Sequence, residues 1–182
     1  MKDYFVKLNR QHSFNHDCFR TKGEVLKFGA VAHGVFYGIK YYAIEWIAKD
    51  SPLDLFPKHM HDNLTMRLMT INHAAYPHTD SGIGVTVNFY MNTTDEATNF
   101  YELNTSTPRL TKLENQTNGS VFSLSDLQKV CSFTARSGDV YALNVSKIHS
   151  VMNEDVVPLR STREAIVVNS PVYTYEQLLS VI

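Results

Sequence analysis

His78, Thr79 and Asp80 form an H-x-D triplet within the segment 74–84, AAYPHTDSGIG. An imidazole nitrogen and a carboxylate oxygen are donors that bind first-row transition metals in proteins. The triplet alone is weak evidence in a chain with 8 histidines. Its value therefore depends on a third ligand, a suitable scaffold and a second anchoring group elsewhere in the chain.

A third ligand and a cation are both available downstream. His149 lies in a β-type segment that follows the Gly138-Asp139 turn. Arg163 then begins a strand rich in β-branched residues, and a guanidinium there can bind a carboxylate through two hydrogen bonds while it stays charged. Arg160 is the alternative cation, but it lies in the loop before that strand, which favours Arg163.

The strand expected over 85–92 has two chemically different faces. Its alternate residues form an apolar face and a polar face: Val85, Val87, Phe89 and Met91 against Thr86, Asn88, Tyr90 and Asn92. The polar face either meets water or lines a wet cavity inside a barrel. In the second case, a metal held by the triplet would lie at one end of the polar face, since the strand begins soon after Asp80.

The elements that would position these residues form a helical prelude and a β core. Apolar residues at helical spacing, namely Ile39, Tyr42, Ala43, Trp46 and Ile47, predict a helix that Asp50-Ser51-Pro52 ends. From residue 64 the period changes to two and predicts strands over 64–72, 85–92, 98–103, 129–135, 139–144, 148–152 and 162–169. We expect one helical turn over 125–129 with Ser125 as its cap, and a last helix over 174–182 with a Thr174–Gln177 capping box.

This order predicts a mainly β (α+β) fold, an antiparallel sandwich or barrel. We expect a single domain, 1–182, whose helical or irregular prelude over 1–63 packs on a core over 64–169, followed by the C-terminal helix within 170–182.

Composition restricts the classes of function. The chain of 182 residues is 43% hydrophobic and 19% charged with a formal net charge of −1, as in soluble globular proteins, and offers no general attraction for nucleic acid or anionic membranes. Cys18 and Cys131 are expected to be free thiols in a reducing compartment. The N-terminal residues contain no apolar signal segment, and the longest apolar stretch, 28–39, is too short to span a membrane. We therefore expect a cytoplasmic protein.

Five short motifs, in this order, resemble those of the Fe(II)/2-oxoglutarate-dependent dioxygenases, and most closely their prolyl-4-hydroxylase-like branch. They are His78-Thr79-Asp80, Tyr90-Met91-Asn92, Gly138-Asp139, His149-Ser150-Val151 and Thr162-Arg163-Glu164-Ala165-Ile166. The resemblance spans about residues 64–169, and the ordered set is far more specific than any single motif.

The resemblance implies a double-stranded β-helix, a jelly-roll or cupin-like barrel, with a catalytic Fe(II) bound by His78, Asp80 and His149. Two imidazoles and one carboxylate on one face of the metal leave positions open for 2-oxoglutarate and O₂. Arg163 would bind the far carboxylate of 2-oxoglutarate, and Tyr90 would donate a hydrogen bond to it. Asn88 and Thr86 are weaker candidates for a supporting role.

The resemblance also implies a reaction. Decarboxylation of 2-oxoglutarate to succinate and CO₂ would accompany oxidation of a C–H bond in a second substrate, with the hard chemistry carried by the iron and the co-substrate. Family members that halogenate carry a small residue at the position of Asp80, so the carboxylate favours hydroxylation. Val167 departs from the family pattern, which often has a hydroxyl residue four positions after the arginine.

The substrate class stays open. A free amino acid, a peptidyl side chain or a small metabolite fits a nearly neutral protein, and a nucleobase is disfavoured without a basic groove. The segment 104–120 is polar and long enough to form a lid. The oligomeric state is also open. The alternative function is a non-catalytic jelly-roll (cupin-like) module that binds a small ligand or a peptide.

Other histidines are weaker metal candidates. The pair His59 and His61 could serve a cupin, and His12 and His16 could bind a metal from one helical turn. His33 and His73 fit ordinary packing or a supporting role. Arg67, on the first core strand, either faces the substrate or makes a surface salt bridge.

Overall fold

The computed structural model describes residues 3–32, 34–80, 82–93, 95–111, 120–152 and 162–182. Within these residues the chain is mainly β, with thirteen strands, four short 3-10 helices and one α-helix. The strands are β1 (Phe5–Gln11), β2 (Phe19–Ala32), β3 (Val35–Trp46), β4 (Thr65–Ile71), β5 (Ala75–Thr79), β6 (Val85–Asn92), β7 (Thr98–Leu103), β8 (Leu110–Thr111), β9 (Ser120–Phe122), β10 (Leu127–Phe133), β11 (Asp139–Leu143), β12 (Ile148–Val151) and β13 (Arg163–Ser170). The helices are the 3-10 helices His16–Cys18, Pro52–Leu55, Lys58–Asn63 and Leu124–Asp126, and α1 (Tyr175–Leu179).

The strands form two antiparallel sheets. The seven-stranded sheet has the order β1-β11-β6-β13-β4-β3-β2, and the six-stranded sheet has the order β10-β7-β12-β5-β9-β8. From β4 to β7, and again from β10 to β13, the chain alternates between the two sheets. The antiparallel β core expected from the sequence is therefore confirmed.

The central strands of the seven-stranded sheet, including β6, β11 and β13, are covered on both faces. Its outer face packs against the short helices through residues such as Leu55, Phe56, Met60, Tyr175 and Leu178. Its inner face packs toward the six-stranded sheet through a second cluster that includes Tyr90, Phe100 and Val151. The apolar face of β6 lies in the outer core, so its polar face points between the sheets.

The helix expected over 39–47 is wrong, because residues 39–46 belong to β3 and Ile47 follows its end. Ile39 belongs to the core between the sheets, whereas Tyr42 and Trp46 pack against the outer core. Apolar side chains on both faces of a strand no longer alternate with polar ones, so their spacing can match a helix. The aromatic and β-branched residues in this segment are nevertheless typical of a strand.

The N-terminal helical prelude is also corrected. No α-helix occurs in the part of residues 3–63 that the structure describes, and this region instead adds β1, β2 and β3 to the seven-stranded sheet. β2 and β3 form a long hairpin in which Gly29 and Gly38 face each other. A Cβ atom on either glycine would collide with the backbone of the opposite strand, so the hairpin requires glycine at both positions.

The expected strands from residue 64 onward are confirmed, and β6 and β7 have the expected bounds. The Thr174–Gln177 capping box of α1 is present. The turn expected over 125–129 is a 3-10 helix capped at Ser123, so Ser125 lies inside it and not at its cap. No helix among the described residues is long and apolar enough to cross a bilayer.

Candidate metal centre

His78 and His149 face each other across two neighbouring strands of the six-stranded sheet. They are register partners on β5 and β12, and their ring centroids lie 4.3 Å apart. Both residues are buried, at 0% and 5% exposure. Antiparallel pairing therefore brings together two imidazoles that are 71 residues apart in sequence (149 − 78).

The hydrogen bonds of the two rings fix which nitrogen is free. His78 Nδ1 lies 2.6 Å from the Tyr76 carbonyl oxygen, and His149 Nδ1 lies 2.9 Å from the Lys147 carbonyl oxygen. Because a carbonyl oxygen only accepts, each Nδ1 must donate its hydrogen. In the neutral rings, each Nε2 atom is then left with a lone pair, as a metal ligand requires.

Asp80 completes the cluster from the residue after β5. Its backbone N–H donates to the Val145 carbonyl oxygen at 3.0 Å, which ties the end of β5 to the segment before β12. Its Oδ1 atom lies 3.5 Å from His78 Nε2. One ligand atom from each of His78, Asp80 and His149 lies within 4.8 Å of the others, so this group could hold a metal ion.

The electrostatics of this cluster favour a bound cation. Burial lowers the pKa of His78 well below its ordinary value, and the neighbouring His149 lowers it further. Burial raises the pKa of Asp80, which His149 partly opposes. The Nε2 atom of His78 is also buried without a hydrogen-bond partner. A divalent cation would satisfy this atom and offset the carboxylate charge.

The three side chains border a cavity between the two sheets. Its lining also includes Arg163 and the polar residues Thr86, Asn88 and Tyr90 of β6. Of the two interpretations of this polar face, the structure supports the cavity, because all three residues are buried.

Arg163 is the first residue of β13 and is only 1% exposed. Its guanidinium donates to the Glu96 main-chain oxygen at 3.2 Å and to Thr98 Oγ1 at 2.8 Å, and it lies 4.7 Å from the centroid of the Tyr90 ring. Its Nε atom is buried without a partner, and no described carboxylate forms an ion pair with it. Burying a cation without a counter-charge is costly, so the position suits an anionic ligand.

Tyr90 belongs to a hydrogen-bonded row along β6. Thr86 Oγ1 donates to Asn88 Oδ1 at 3.0 Å, and Asn88 Nδ2 donates to the Tyr90 hydroxyl oxygen at 3.2 Å. Because the Tyr90 oxygen accepts in this row, its own hydrogen remains available to donate into the cavity. Asn88 and Thr86 thus support Tyr90 directly.

Three further residues of the site were missed by the sequence analysis. Thr98 contacts Arg163, Tyr41 lines the cavity from β3, and the Phe28 ring lies 4.6 Å from the His78 ring. If residues 35–46 are treated as a strand, Ile39 and Tyr41 lie on the same face, and Tyr41 becomes a candidate residue of the cavity. No motif marks Thr98, because only the pairing of β7 with β12 brings it to the cavity.

The weaker candidates do not converge on a second site among the described residues. His61 Nε2 lies 3.0 Å from the Phe56 carbonyl oxygen, and His16 Nε2 lies 3.0 Å from the Glu164 carboxylate. His12 accepts the Phe14 N–H, and the His73 ring packs against Tyr37. His33 and Arg160 lie outside the described residues, and so do residues 112–119 of the expected lid over 104–120.

Comparisons with known proteins add little. No family model matches the chain, and a search of curated proteins finds no match either. A solved structure of a cupin-like protein from Thermotoga maritima aligns with 91% of this chain and 80% of its own, at 10% identity and a TM-score of 0.34. A TM-score this low does not establish a shared fold, so the functional argument depends on the site.

Proposed function

We propose that this protein is an Fe(II)- and 2-oxoglutarate-dependent dioxygenase that hydroxylates a C–H bond of an amino-acid, peptidyl or other small substrate. Succinate and CO₂ would be the co-products. The observation that carries the proposal is one cavity that contains three metal-ligand side chains, His78, Asp80 and His149, together with the buried Arg163. Neither feature alone is specific, but this enzyme class requires both.

The strand order supports a double-stranded β-helix as the scaffold. Leaving out β8 and β9, eight strands from β4 to β13 divide equally between the sheets, in the orders β11-β6-β13-β4 and β10-β7-β12-β5. Two facing four-stranded sheets built from such alternating strands are typical of a jelly roll. The N-terminal strands then extend one of these sheets.

The metal ligands fit Fe(II) by the chemistry of their donors. Two neutral imidazoles and one carboxylate form the facial set that non-haem Fe(II) oxygenases use. Bound Fe(II) would supply the O₂ chemistry, while the chain holds both Nε2 atoms in place through the Tyr76 and Lys147 carbonyl oxygens. The Asp80 carboxylate leaves no place for a halide at its position and favours hydroxylation.

The residues around Arg163 fit the far carboxylate of 2-oxoglutarate. The guanidinium supplies the charge, and the Tyr90 hydroxyl can donate a hydrogen bond. Val167 lines the cavity where related enzymes often have a hydroxyl residue. Thr98 offers a replacement, because its oxygen accepts from Arg163 and its hydrogen remains free to donate.

Succinate formation from 2-oxoglutarate under air tests the proposal directly. We expect turnover that requires Fe(II) and that falls below about 1% of the wild type in His78→Ala, because the metal loses a ligand. Arg163→Ala should cause a similar loss at moderate 2-oxoglutarate concentration, because the co-substrate loses a buried charge-assisted contact worth roughly 2–5 kcal/mol.

Arg160→Ala is the matched control for the anchor, because it removes the competing arginine three positions earlier in the sequence. It should leave the Michaelis constant for 2-oxoglutarate unchanged. A loss in Arg160→Ala but not in Arg163→Ala would assign the anchor to the other arginine. Turnover without any metal would contradict the proposal, and a chain that takes up neither metal nor 2-oxoglutarate would fit the non-catalytic binding module.

A further inference from the structure

Arg67 is a second arginine on the inner face of the seven-stranded sheet. It alternates with Met69 and Ile71 along β4, both of which line the cavity, and it is the register partner of the cavity residue Val167. Its side chain is half-buried, yet no described carboxylate forms an ion pair with it. The surface salt bridge that the sequence allowed is therefore absent among the described residues.

Arg67 and Arg163 lie in different parts of the cavity region. Arg67 pairs with Val167, which is four residues after Arg163 on β13. Four residues of strand correspond to about 13 Å. Arg67 lies toward the sheet end where β6 begins, five residues after Asp80, whereas Arg163 lies at the opposite end of β13. Two arginines so placed suit two separate anionic groups.

Tyr41 lies beside Arg67 on the neighbouring strand. Its ring lines the cavity, and its register partner is Met69, two residues from Arg67. Burial raises the pKa of this phenol, the nearby Asp80 carboxylate raises it further, and the nearby Arg67 guanidinium lowers it by less, so the phenol is a neutral hydrogen-bond donor. No hydrogen bond joins this hydroxyl to a described residue, which leaves it free to donate to a ligand.

The described acidic residues near Arg67 and Tyr41 do not form ion pairs with Arg67. Asp80 belongs to the candidate metal centre, and Arg67 is not among the charges that act on it. Glu45, further along β3, forms an ion pair with Lys22. The position thus presents a guanidinium and a phenol, both donors, without an acceptor from the described residues.

We propose that Arg67 and Tyr41 bind a carboxylate of the oxidised substrate, so that the substrate is a carboxylic acid such as a free amino acid. This inference depends on the proposed function. A guanidinium binds a carboxylate through two parallel hydrogen bonds, and the phenol adds a third. One arginine matches the single charge of a carboxylate better than the double charge of a phosphate.

The test uses matched probes: the standard L-amino acids and their carboxamides, added to the Fe(II)-loaded protein with 2-oxoglutarate while succinate is measured. We expect at least one amino acid to stimulate succinate formation and its amide to fail. In Arg67→Gln the kcat/KM for that amino acid should fall about 10-fold or more, as for loss of a charged hydrogen-bonding partner. Tyr41→Phe should reduce it about 2- to 10-fold.

Two controls separate this role from others. Arg20→Gln makes the same change at an exposed arginine of β2 and should alter nothing. Binding of 2-oxoglutarate to the Mn(II)-loaded protein, measured by calorimetry, should stay within about 2-fold of the wild type in Arg67→Gln, because its far carboxylate is bound elsewhere.

Three results would overturn the inference. The first is weakening of 2-oxoglutarate binding in Arg67→Gln as large as in Arg163→Ala, which would place Arg67 in the co-substrate site. The second is that amino acids and their carboxamides stimulate succinate formation equally, or that neither stimulates it, while the protein still forms succinate from 2-oxoglutarate alone. The third is a wild-type protein that binds no metal or 2-oxoglutarate, and this result alone would also overturn the proposed function.

Discussion

Two residues that carry a hydroxyl group contact the Arg163 guanidinium, Thr98 through a hydrogen bond and Tyr90 through its ring, and they differ in how readily the sequence predicts them. Tyr90 could be predicted because it lies on the polar face of a regular strand. Thr98 could not, because its role depends on β7 pairing with β12 and on the contact with Arg163. Residues within local motifs can thus be assigned from sequence, whereas residues brought in by sheet register cannot.

We expect Thr98→Val and Tyr90→Phe each to weaken 2-oxoglutarate binding about 2- to 10-fold, as for loss of one neutral hydrogen bond. Both changes preserve the shape of the side chain, so the cavity should keep its form. Calorimetry on the Mn(II)-loaded protein measures the effect. Tyr42→Phe, whose ring packs against the outer core, is the control and should change nothing. Unchanged affinity in Thr98→Val would exclude this threonine from the carboxylate site.

At the level of elements, the β core was predictable and the N-terminal hairpin was not. In β6 one face meets the outer core and the other meets the cavity, so its residues alternate clearly in polarity. In β3 both faces meet apolar neighbours, and the alternation disappears. The missing alternation in β3 also hides a residue of the cavity, because Tyr41 lies in the segment whose apolar spacing predicts a helix.

The Gly138-Asp139 turn joins three strands of the seven-stranded sheet. Gly138 N–H donates to the Tyr90 carbonyl oxygen at 2.8 Å, and Asp139 accepts from the Arg136 N–H at 3.0 Å and from Lys7 Nζ at 2.7 Å. Burial raises the pKa of Asp139, but the hydrogen bonds from Lys7 and Arg136 outweigh it and hold the pKa below its ordinary value. The ionised carboxylate therefore stabilises the fold.

Asp139→Asn should lower the free energy of unfolding by about 1.5–3 kcal/mol at pH 7, as for loss of hydrogen bonds to a charged group. Because the folded pKa is depressed, this stabilisation is present above the unfolded value and is lost as the pH falls through the folded pKa. Urea unfolding at a series of pH values should show wild type and variant converging below the ordinary value of 3.8. Asp17→Asn, at an exposed position, is the control. A difference that persists at low pH would assign the effect to packing.

On the scale of the whole molecule, the cavity is lined by residues of both sheets, so a ligand bound there would contact both. His78 and His149 belong to the six-stranded sheet, whereas Arg163 and Tyr90 belong to the seven-stranded sheet. A metal would bind from one sheet and the residue after β5, and 2-oxoglutarate would connect that metal to the other sheet. Ligands that bind only the folded state stabilise it by an amount that rises with the logarithm of the ligand concentration above its dissociation constant.

We therefore expect Mn(II) alone to raise the melting temperature, and 2-oxoglutarate to raise it further only when Mn(II) is present. At about 100 times its dissociation constant, each ligand should contribute roughly 2.7 kcal/mol, or about 5–10 °C for a chain of this size. Asp80→Ala should abolish both increments, because the second requires the first, whereas Arg163→Ala should abolish only the second. Equal stabilisation by 2-oxoglutarate with and without Mn(II) would mean that the two ligands bind independently, and the cavity would then not be a single composite site.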